Sequence, residues 1–197
     1  MPLHQLTPGP QTQAAAPRYD RGAIAFHWTV AVLVAVVGTI GVVHDSLPEE
    51  SQPFWINLHA IIGLVLLAVV LARVCWRATH KPPALPPGSG ELSRRLSYPV
   101  HMLLYLLLVV IPLIGIVTFI WHGRVFDFGL FKADFGVHKN RAIFHPTEDL
   151  HGWLAYTLFT VVGLHVLAAL WHQFYRRDRL LLRMWPARRN SDSRAPP

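Results

Sequence analysis

Charged residues are scarce in this chain of 197 residues. Asp, Glu, Lys and Arg together make up 15% of the sequence, whereas they make up about 25% of a typical soluble domain. Hydrophobic residues make up 52%. So few charges cannot cover a water-exposed surface in the usual way, and the composition therefore indicates lipid as the main solvent.

The shortage of charge is concentrated in four windows that contain no Asp, Glu, Lys or Arg. They are residues 23–43, 54–72, 98–121 and 150–175. Each window has about the 20 residues that a helix needs to cross a bilayer. We therefore predict an all-α fold, an integral membrane four-helix bundle. A signal peptide is the alternative for the first window, but the first 17 residues carry no positive charge, no A-x-A site follows the window, and it is too long for the apolar region of a signal peptide.

The two ends of the chain lack the apolar pattern of the windows. Residues 1–17 are rich in Gln, Pro and Ala, and residues 187–197 are polar and basic. Such compositions do not bury enough apolar surface to fold. We predict a disordered leader over 1–17, a transmembrane domain over 18–186 and a disordered tail over 187–197.

Positive charge is distributed unequally among the segments that connect the windows. Of the 18 Lys and Arg residues, 14 lie before the first window, between the second and third, or after the fourth. The positive-inside rule places those segments in the cytoplasm, so both termini are expected there. The net charge of +7 then reflects topology, and we expect membrane lipid and no nucleic acid as a partner.

Several motifs for metal and redox chemistry are absent from the sequence. Cys75 is the single cysteine, which excludes an intrachain disulfide and a C-x-x-C-H site for covalent c-type haem. The zinc motif H-E-x-x-H is missing, and the four windows contain no Glu for a carboxylate-bridged di-iron centre. A transporter lined by histidines is disfavoured because the windows hold no intramembrane carboxylate.

The four windows contain histidines, which can bind metals. His151 and His165 are fourteen residues apart, a spacing that returns to one helix face about 21 Å further along the axis. In an alternating topology, His59 lies at the depth of His151, and His27 lies at the depth of His165. A single such histidine can simply be hydrogen-bonded to a backbone carbonyl. Two opposed pairs at matched depths instead predict axial ligands for two b haems.

Five stretches of the chain carry a resemblance to a known family. They are "RYDRGAIAFHW", "INLHAIIGLVLL", "HMLLYLLLVVIPLIG", "LHGWLAYTLFTVVGLHVLAALWH" and "LLRMWP". Over residues 18–186 the sequence resembles the bacterial four-helix branch of the cytochrome b561 family, which implies a di-haem protein of the bacterial inner membrane. The resemblance assigns His27 and His165 to the inner haem, and His59 and His151 to the outer haem.

The resemblance also implies a reaction. One type in the family is a superoxide oxidase that oxidises superoxide to oxygen and reduces ubiquinone, which implies superoxide as donor and quinone as acceptor. Related membrane b cytochromes serve dehydrogenases and hydrogenases, so an electron relay and membrane anchor for a partner subunit is the alternative. Bis-histidine ligation leaves no vacant iron position, and the chemistry is therefore expected to be outer-sphere.

Basic residues and further histidines near the inner end are candidates for the quinone site. His172 lies one heptad beyond His165 and is a candidate proton donor to the quinone. Lys81, Arg94 and Arg95 are candidates for stabilising the reduced quinone. His101 is a competitor of His27 for the inner haem or a contact of its propionate or of the quinone.

The outer connection between the third and fourth windows is the longest one. Its phenylalanines, interleaved with charges, predict a cap that lies against the membrane interface. Its cations are candidates for steering an anion such as superoxide. These candidates are Arg124, Lys132, Lys139 and Arg141.

Overall fold

The computed structural model describes residues 18–84, 91–178 and 180–186, apart from the side chains at positions 92 and 94. The predicted leader over 1–17 and tail over 187–197 lie outside the described residues. Four long helices dominate the rest: α1 (Arg21–Val43), α2 (Gln52–Thr79), α3 (Glu91–Trp121) and α4 (Arg141–Trp171). All four are long and apolar enough to cross a membrane. The predicted membrane four-helix bundle is confirmed.

The helices run longer than the charge-free windows that predicted them. α2 continues to Thr79 and therefore includes Arg73 and Arg77, which the sequence analysis had counted in the connection after the second window. A helix need not end at the membrane boundary, because long basic side chains keep their charged heads near the interface. α3 and α4 likewise begin several residues before their windows.

Short elements connect and follow the helices. A 3-10 turn (His44–Ser46) lies between α1 and α2, and two short antiparallel strands, β1 (Phe126–Asp127) and β2 (Lys132–Ala133), form a hairpin between α3 and α4. A π-helical turn (His172–Arg176) follows α4 directly, and a 3-10 turn (Leu180–Arg183) comes next. The outer connection, predicted as a cap, thus forms this hairpin, and α4 begins after it at Arg141.

Packing within the bundle leaves large apolar faces for lipid. Sequential helices pack together, α1 on α2, α2 on α3 and α3 on α4. The buried core is small, and at most 22% of any membrane span is buried inside the protein. In water such exposed leucines and valines would be unfavourable, so the fold requires a hydrocarbon solvent around it. The core residues are Val30, Val37, Leu66, Val70, Leu107, Leu108, Ile111 and Leu158.

We call the bundle end where α1 begins and α4 ends the terminal end, and the opposite end the distal end. At the terminal end the segment after α4 folds back onto the bundle. Trp28 Nε1 donates to Met184 O at 2.8 Å, and Arg18 Nη2 donates to Leu182 O at 3.0 Å. Arg183 is buried, with 3% of its surface exposed, and donates to Ala84 O at 2.8 Å. These bonds close the terminal end around the helix termini.

Candidate functional site

Two imidazoles face each other at the distal level of the bundle. His59 of α2 and His151 of α4 have ring centroids 6.0 Å apart. His59 Nδ1 donates to Val37 O at 3.0 Å, and His151 Nδ1 donates to Ile111 O at 3.0 Å. A carbonyl oxygen can only accept, so each neutral ring carries its proton on Nδ1 and keeps Nε2 free. Free Nε2 atoms are the form in which histidines bind a metal.

Each distal imidazole rests against a glycine of the neighbouring helix. A Cβ added at Gly41 of α1 would lie 2.9 Å from His59 Cε1, and one added at Gly115 of α3 would lie 2.9 Å from His151 Cε1. Both distances are shorter than a van der Waals contact. Each glycine comes four residues after the carbonyl that accepts from the same ring. α1 and α3 therefore hold the two histidines in the same way, with a carbonyl bound to Nδ1 and a glycine that leaves space for the ring.

Three histidines lie together at the terminal level. The ring of His165 is 6.5 Å from that of His27 and 5.4 Å from that of His101, measured between centroids. His101 Nδ1 donates to Ser97 O at 2.5 Å, whereas His27 Nδ1 accepts from Arg73 Nη2 at 3.3 Å. His27 and His165, the pair predicted from the sequence, are therefore close, and the alternative ligand His101 lies closer still to His165.

The two levels suit a metal held between opposed imidazoles. Metal–nitrogen bonds of about 2 Å on opposite sides of one ion bring two imidazole centroids about 6 Å apart. The distal pair at 6.0 Å and the terminal pair at 6.5 Å fit that separation. The donors are neutral ring nitrogens, which is the ligand set of bis-histidine haem iron. The distal residues therefore fit a b haem by separation and by protonation. The terminal pair fits by separation, and its His27 Nδ1 accepts from Arg73, so binding iron at His27 Nε2 would displace the proton of that nitrogen.

Arg73 is a charged residue inside a membrane span and was not singled out by the sequence analysis. Besides its bond to His27, its guanidinium lies 5.4 Å from the centroid of the Tyr105 ring. A small pocket between α1, α2 and α3 is lined by Arg73, Arg77 and Tyr19, among others. An ionisable residue at membrane depth is a functional candidate by default, and this cation suits the carboxylates of a haem. Its signal in the sequence was its position fourteen residues after His59.

The predicted proton donor, His172, sits at the start of the π-helical turn after α4. Its Nδ1 lies 2.5 Å from Asp178 Oδ2, and its Nε2 lies 2.9 Å from Ser93 Oγ of α3. Sequence reasoning missed both partners. The other candidates for the quinone site differ: Lys81 is exposed in the loop after α2, Arg95 forms an ion pair with Glu91 at 3.0 Å, and the side chain of Arg94 lies outside the described residues.

A cluster of cations lies at the distal end. Arg124 Nε donates to His122 Nδ1 at 3.2 Å, and Lys139 Nζ lies 3.5 Å from His122 Nε2. Burial lowers the pKa of His122, and the neighbouring charges of Arg124 and Lys139 lower it further. Lys132 instead pairs with Asp127 at 3.0 Å. Of the four outer cations predicted to steer an anion, Arg124 and Lys139 come together, Lys132 is neutralised, and Arg141 is exposed at the start of α4.

Comparison with known proteins identifies the family. The family model described as prokaryotic cytochrome b561 matches residues 18–187. The chain belongs to the prokaryotic cytochrome b561 family. It is 30% identical over 176 residues to a probable superoxide oxidase of Yersinia pestis, with 87% of this chain and 98% of that protein covered. It is 30% identical over 177 residues to cytochrome b561 homolog 2 of Escherichia coli K12, with 85% and 90% covered.

Membership of this family establishes the general function of the protein. It is a multi-pass membrane protein that transfers electrons and uses b-type haem. It is also 23% identical over 174 residues to cytochrome b561 homolog 1 of Escherichia coli K12, with 87% of this chain and 99% of that protein covered. The family name specifies neither the electron donor nor the electron acceptor.

Proposed function

We propose that this cytochrome holds two b haems, one at each histidine level. His59 and His151 would hold the distal haem, and His27 and His165 would hold the terminal haem. The observation that carries the proposal is the distal pair, whose rings are 6.0 Å apart with both Nδ1 atoms bound to carbonyls. When bound, each haem supplies a centre that takes up and gives off one electron. Arg73 would neutralise a carboxylate of the terminal haem.

The direction across the membrane follows from the charge distribution. The segments before the first window, between the second and third, and after the fourth hold 14 of the 18 Lys and Arg residues, so we assign the terminal end to the cytoplasm of a bacterial inner membrane. Both termini are then cytoplasmic, and the distal end faces outward. In this orientation a haem held by the distal histidines would take up electrons from outside, and a haem held by the terminal histidines would give them to an acceptor at the cytoplasmic side.

We propose superoxide as the donor at the distal end. Superoxide is a small anion, and the cluster of His122, Arg124 and Lys139 offers it two cations. Glu148 interacts with one of them, Arg124, and leaves the charge of Lys139 in place. His59 and His151 would together hold the iron of the distal haem, so superoxide would give up its electron without binding iron. A relative is named a probable superoxide oxidase, which agrees with this assignment.

We propose ubiquinone as the acceptor at the terminal end. Quinone reduction consumes protons as well as electrons, and His172 is a titratable side chain beside the start of α3. Lys81, Arg94 and Arg95 would add positive charge that stabilises the reduced quinone. Two superoxide anions then supply the two electrons of one quinol and leave as two oxygen molecules.

Reconstitution of the purified cytochrome tests this function directly. Protein in liposomes that contain ubiquinone would be mixed with a pulse of superoxide in otherwise oxygen-free buffer. We expect rapid reduction of the haem absorbance, followed by formation of quinol. Haems that remain oxidised after the pulse would exclude superoxide as the donor. Reduced haems without quinol would exclude quinone as the acceptor.

Removing the cation at the centre of the distal cluster should slow electron uptake. Replacing Arg124 by Gln lowers the local positive potential that attracts superoxide, and we expect haem reduction to slow by about 10-fold at low salt. The difference should shrink as the ionic strength rises. Lys132→Gln is the control, because it removes the same charge from a residue already paired with Asp127. Equal rates in the two variants would contradict a role for the cluster.

A methyl group at Gly115 should disturb the distal haem selectively. The Cβ of Gly115→Ala would lie 2.9 Å from His151 Cε1, and the ring would have to move from its position. Overpacking of this kind costs about 1–3 kcal/mol, so we expect the distal haem to bind about 10- to 100-fold more weakly. Haem titration and absorbance spectra measure this loss.

Gly163→Ala is the matched control in α4, because no heavy atom of a described residue lies within 4 Å of its Cβ position. Its spectra should equal those of the wild type. An unchanged distal haem in Gly115→Ala would show that the position of His151 does not depend on its contact with Gly115.

The second candidate function is an electron relay and membrane anchor for a dehydrogenase subunit. It is favoured by the apolar tip of the distal hairpin, where Leu130 is 98% exposed and Phe131 is 62% exposed. Exposed apolar side chains of this size are typical of an interface. Purification from the native membrane separates the functions, since a stoichiometric partner that is lost in Phe131→Ser would favour the relay.

A further inference from the structure

The backbone after α4 turns the chain back toward His172. The last turn of α4 widens into the π-helical turn His172–Arg176, and Arg177 then adopts a left-handed conformation with φ of 55°. This conformation is unfavourable for a residue with a side chain, and π-turns within helices occur often at functional sites. The amide of Asp178 donates to His172 O at 3.3 Å. The turn therefore brings Asp178 to a position beside His172 that a continuous helix would not give it.

That result is the position of the Asp178 carboxylate. In a continuous α-helix, a residue six positions later lies about 240° around the axis from the first one. Here Asp178 Oδ2 instead lies 2.5 Å from His172 Nδ1, and the two side chains are only 18% and 13% exposed. An ionised carboxylate can only accept a hydrogen bond, so the proton on the imidazole is held at Nδ1.

The other ring nitrogen points to α3. His172 Nε2 lies 2.9 Å from Ser93 Oγ. With Nδ1 protonated, Nε2 of the neutral ring is an acceptor and the Ser93 hydroxyl donates to it. A carboxylate that orients an imidazole, whose second nitrogen meets a hydroxyl, is an arrangement that enzymes use to move protons. No residue of this arrangement belongs to the predicted haem ligands.

We propose that Asp178 is a positioning residue for quinone reduction. It fixes the Nδ1 proton of His172 and stabilises the protonated ring, so that Nε2, on the Ser93 side, gives its proton to the reduced quinone. The inference rests on the proposed function, since it needs quinone as the acceptor at the terminal end. The inference adds Asp178 to that function as the residue that directs proton donation by His172 to its Nε2 atom.

The step balances with groups already named. One quinone accepts two electrons, one at a time, from two superoxide anions that become two oxygen molecules. It also accepts two protons, which form two O–H bonds at its carbonyl oxygens. Each proton leaves Nε2 of protonated His172, and the ring regains one from water at the terminal end. Asp178 stays ionised throughout and exchanges no proton with the quinone.

The experiment compares proton delivery in four variants of the full-length protein with both haems reduced chemically before quinone is added. These are Asp178→Asn, Asp178→Glu, His172→Ala and the double variant Asp178→Asn with His172→Ala. Glu50→Gln is the control, because it removes a carboxylate from an exposed residue in the connection between α1 and α2, away from the proposed quinone site. Chemical reduction makes the result independent of superoxide.

We expect Asp178→Asn to lower kcat for quinol formation by about 10-fold or more, with KM for quinone nearly unchanged. Asp178→Glu should recover most of the rate, and Glu50→Gln should equal the wild type. In the double variant, Asp178→Asn should add no loss to that of His172→Ala, because the two residues act as one unit.

A second readout does not depend on activity. In reduced protein with ¹⁵N-labelled histidines, the signals that disappear in His172→Ala identify His172. We expect them to report a proton at Nδ1 in the wild type and in Asp178→Glu, and to lose that preference in Asp178→Asn. This result would be the same for a protein that used another electron donor.

Three results would overturn the inference. A normal rate in Asp178→Asn would remove Asp178 from proton delivery. An equal loss from Asp178→Asn with and without His172 would show that the carboxylate acts independently of the imidazole. If wild-type protein with reduced haems forms no quinol, the proposed acceptor and this inference fail together, whereas quinol formation with either of the first two results overturns the inference alone.

Discussion

Replacing His151 by Ala is expected to remove one of two haems and to end electron uptake at the distal end. The purified wild-type protein should contain two low-spin b haems, and His151→Ala or His59→Ala should contain one. The reason is geometric: both imidazoles lie at one level with centroids 6.0 Å apart, and bis-histidine ligation fails when either is lost. A pyridine haemochrome assay per mole of protein measures the change.

The terminal pair provides the complementary result. His27→Ala or His165→Ala should remove the other haem, which spectra at low temperature distinguish from the distal one. His145→Ala is the matched control, because this histidine is also in α4 but is exposed near its first turns. If His27→Ala removed the same haem as His59→Ala, the assignment by depth would be wrong. A wild-type protein with one haem would contradict the proposal as a whole.

His101 needs its own variant because its ring is 5.4 Å from that of His165. With His27 as the ligand, His101→Ala should keep both haems. Loss of the terminal haem in His101→Ala, together with its retention in His27→Ala, would make His101 the partner of His165. The hydrogen bonds at this level give His101 a protonated Nδ1 and leave its Nε2 as the free nitrogen, which makes the test worth doing.

The fold was predictable because membrane spans obey simple rules of length and charge. Four windows without charged residues predicted four helices, and the structure has α1 to α4 at those places. Their ends were less predictable, since the windows stopped at the first charge. α2 can include Arg73 because its guanidinium donates to His27 and lies over the ring of Tyr105.

The histidine levels were predictable in part. A spacing of fourteen residues in α4 and the alternation of helix direction were enough to put His59 near His151. The atoms that orient these rings were not predictable, because they are the backbone carbonyls of Val37 and Ile111, which carry no sequence signal. Gly41 and Gly115 lie against the same two rings. They seat imidazoles, a use that needs the positions of two helices together.

Asp178 shows a different kind of limit. Its approach to His172 depends on a π-helical turn and on a left-handed Arg177. Left-handed backbone is usually signalled by Gly or Asn, and here the residue is an arginine in a basic segment. No local pattern therefore predicted the turn. Tertiary contacts at the terminal end, such as the bonds of Arg183 to the loop after α2, hold the segment in place instead.

Replacing His172 by Ala is expected to separate electron transfer from quinol formation. His172 lies seven residues beyond His165 at the terminal end, and its two ring nitrogens are occupied by Asp178 and Ser93. It is therefore a proton donor in our proposal and not an iron ligand. Both haem spectra should stay intact in His172→Ala, and superoxide should still reduce the haems quickly. Quinol formation should slow by about 10- to 100-fold, the lower part of the range for general acid–base catalysis.

Stopped-flow absorbance resolves the two phases in one experiment. The first phase follows haem reduction by superoxide, and the second follows haem reoxidation as quinol appears. His80→Ala is the matched control, because this histidine is also at the terminal end but is exposed and stacked on Trp76. Both of its phases should equal those of the wild type. Unchanged quinol formation in His172→Ala would remove His172 from the mechanism, whereas loss of a haem signal would make it a ligand and overturn the terminal pair.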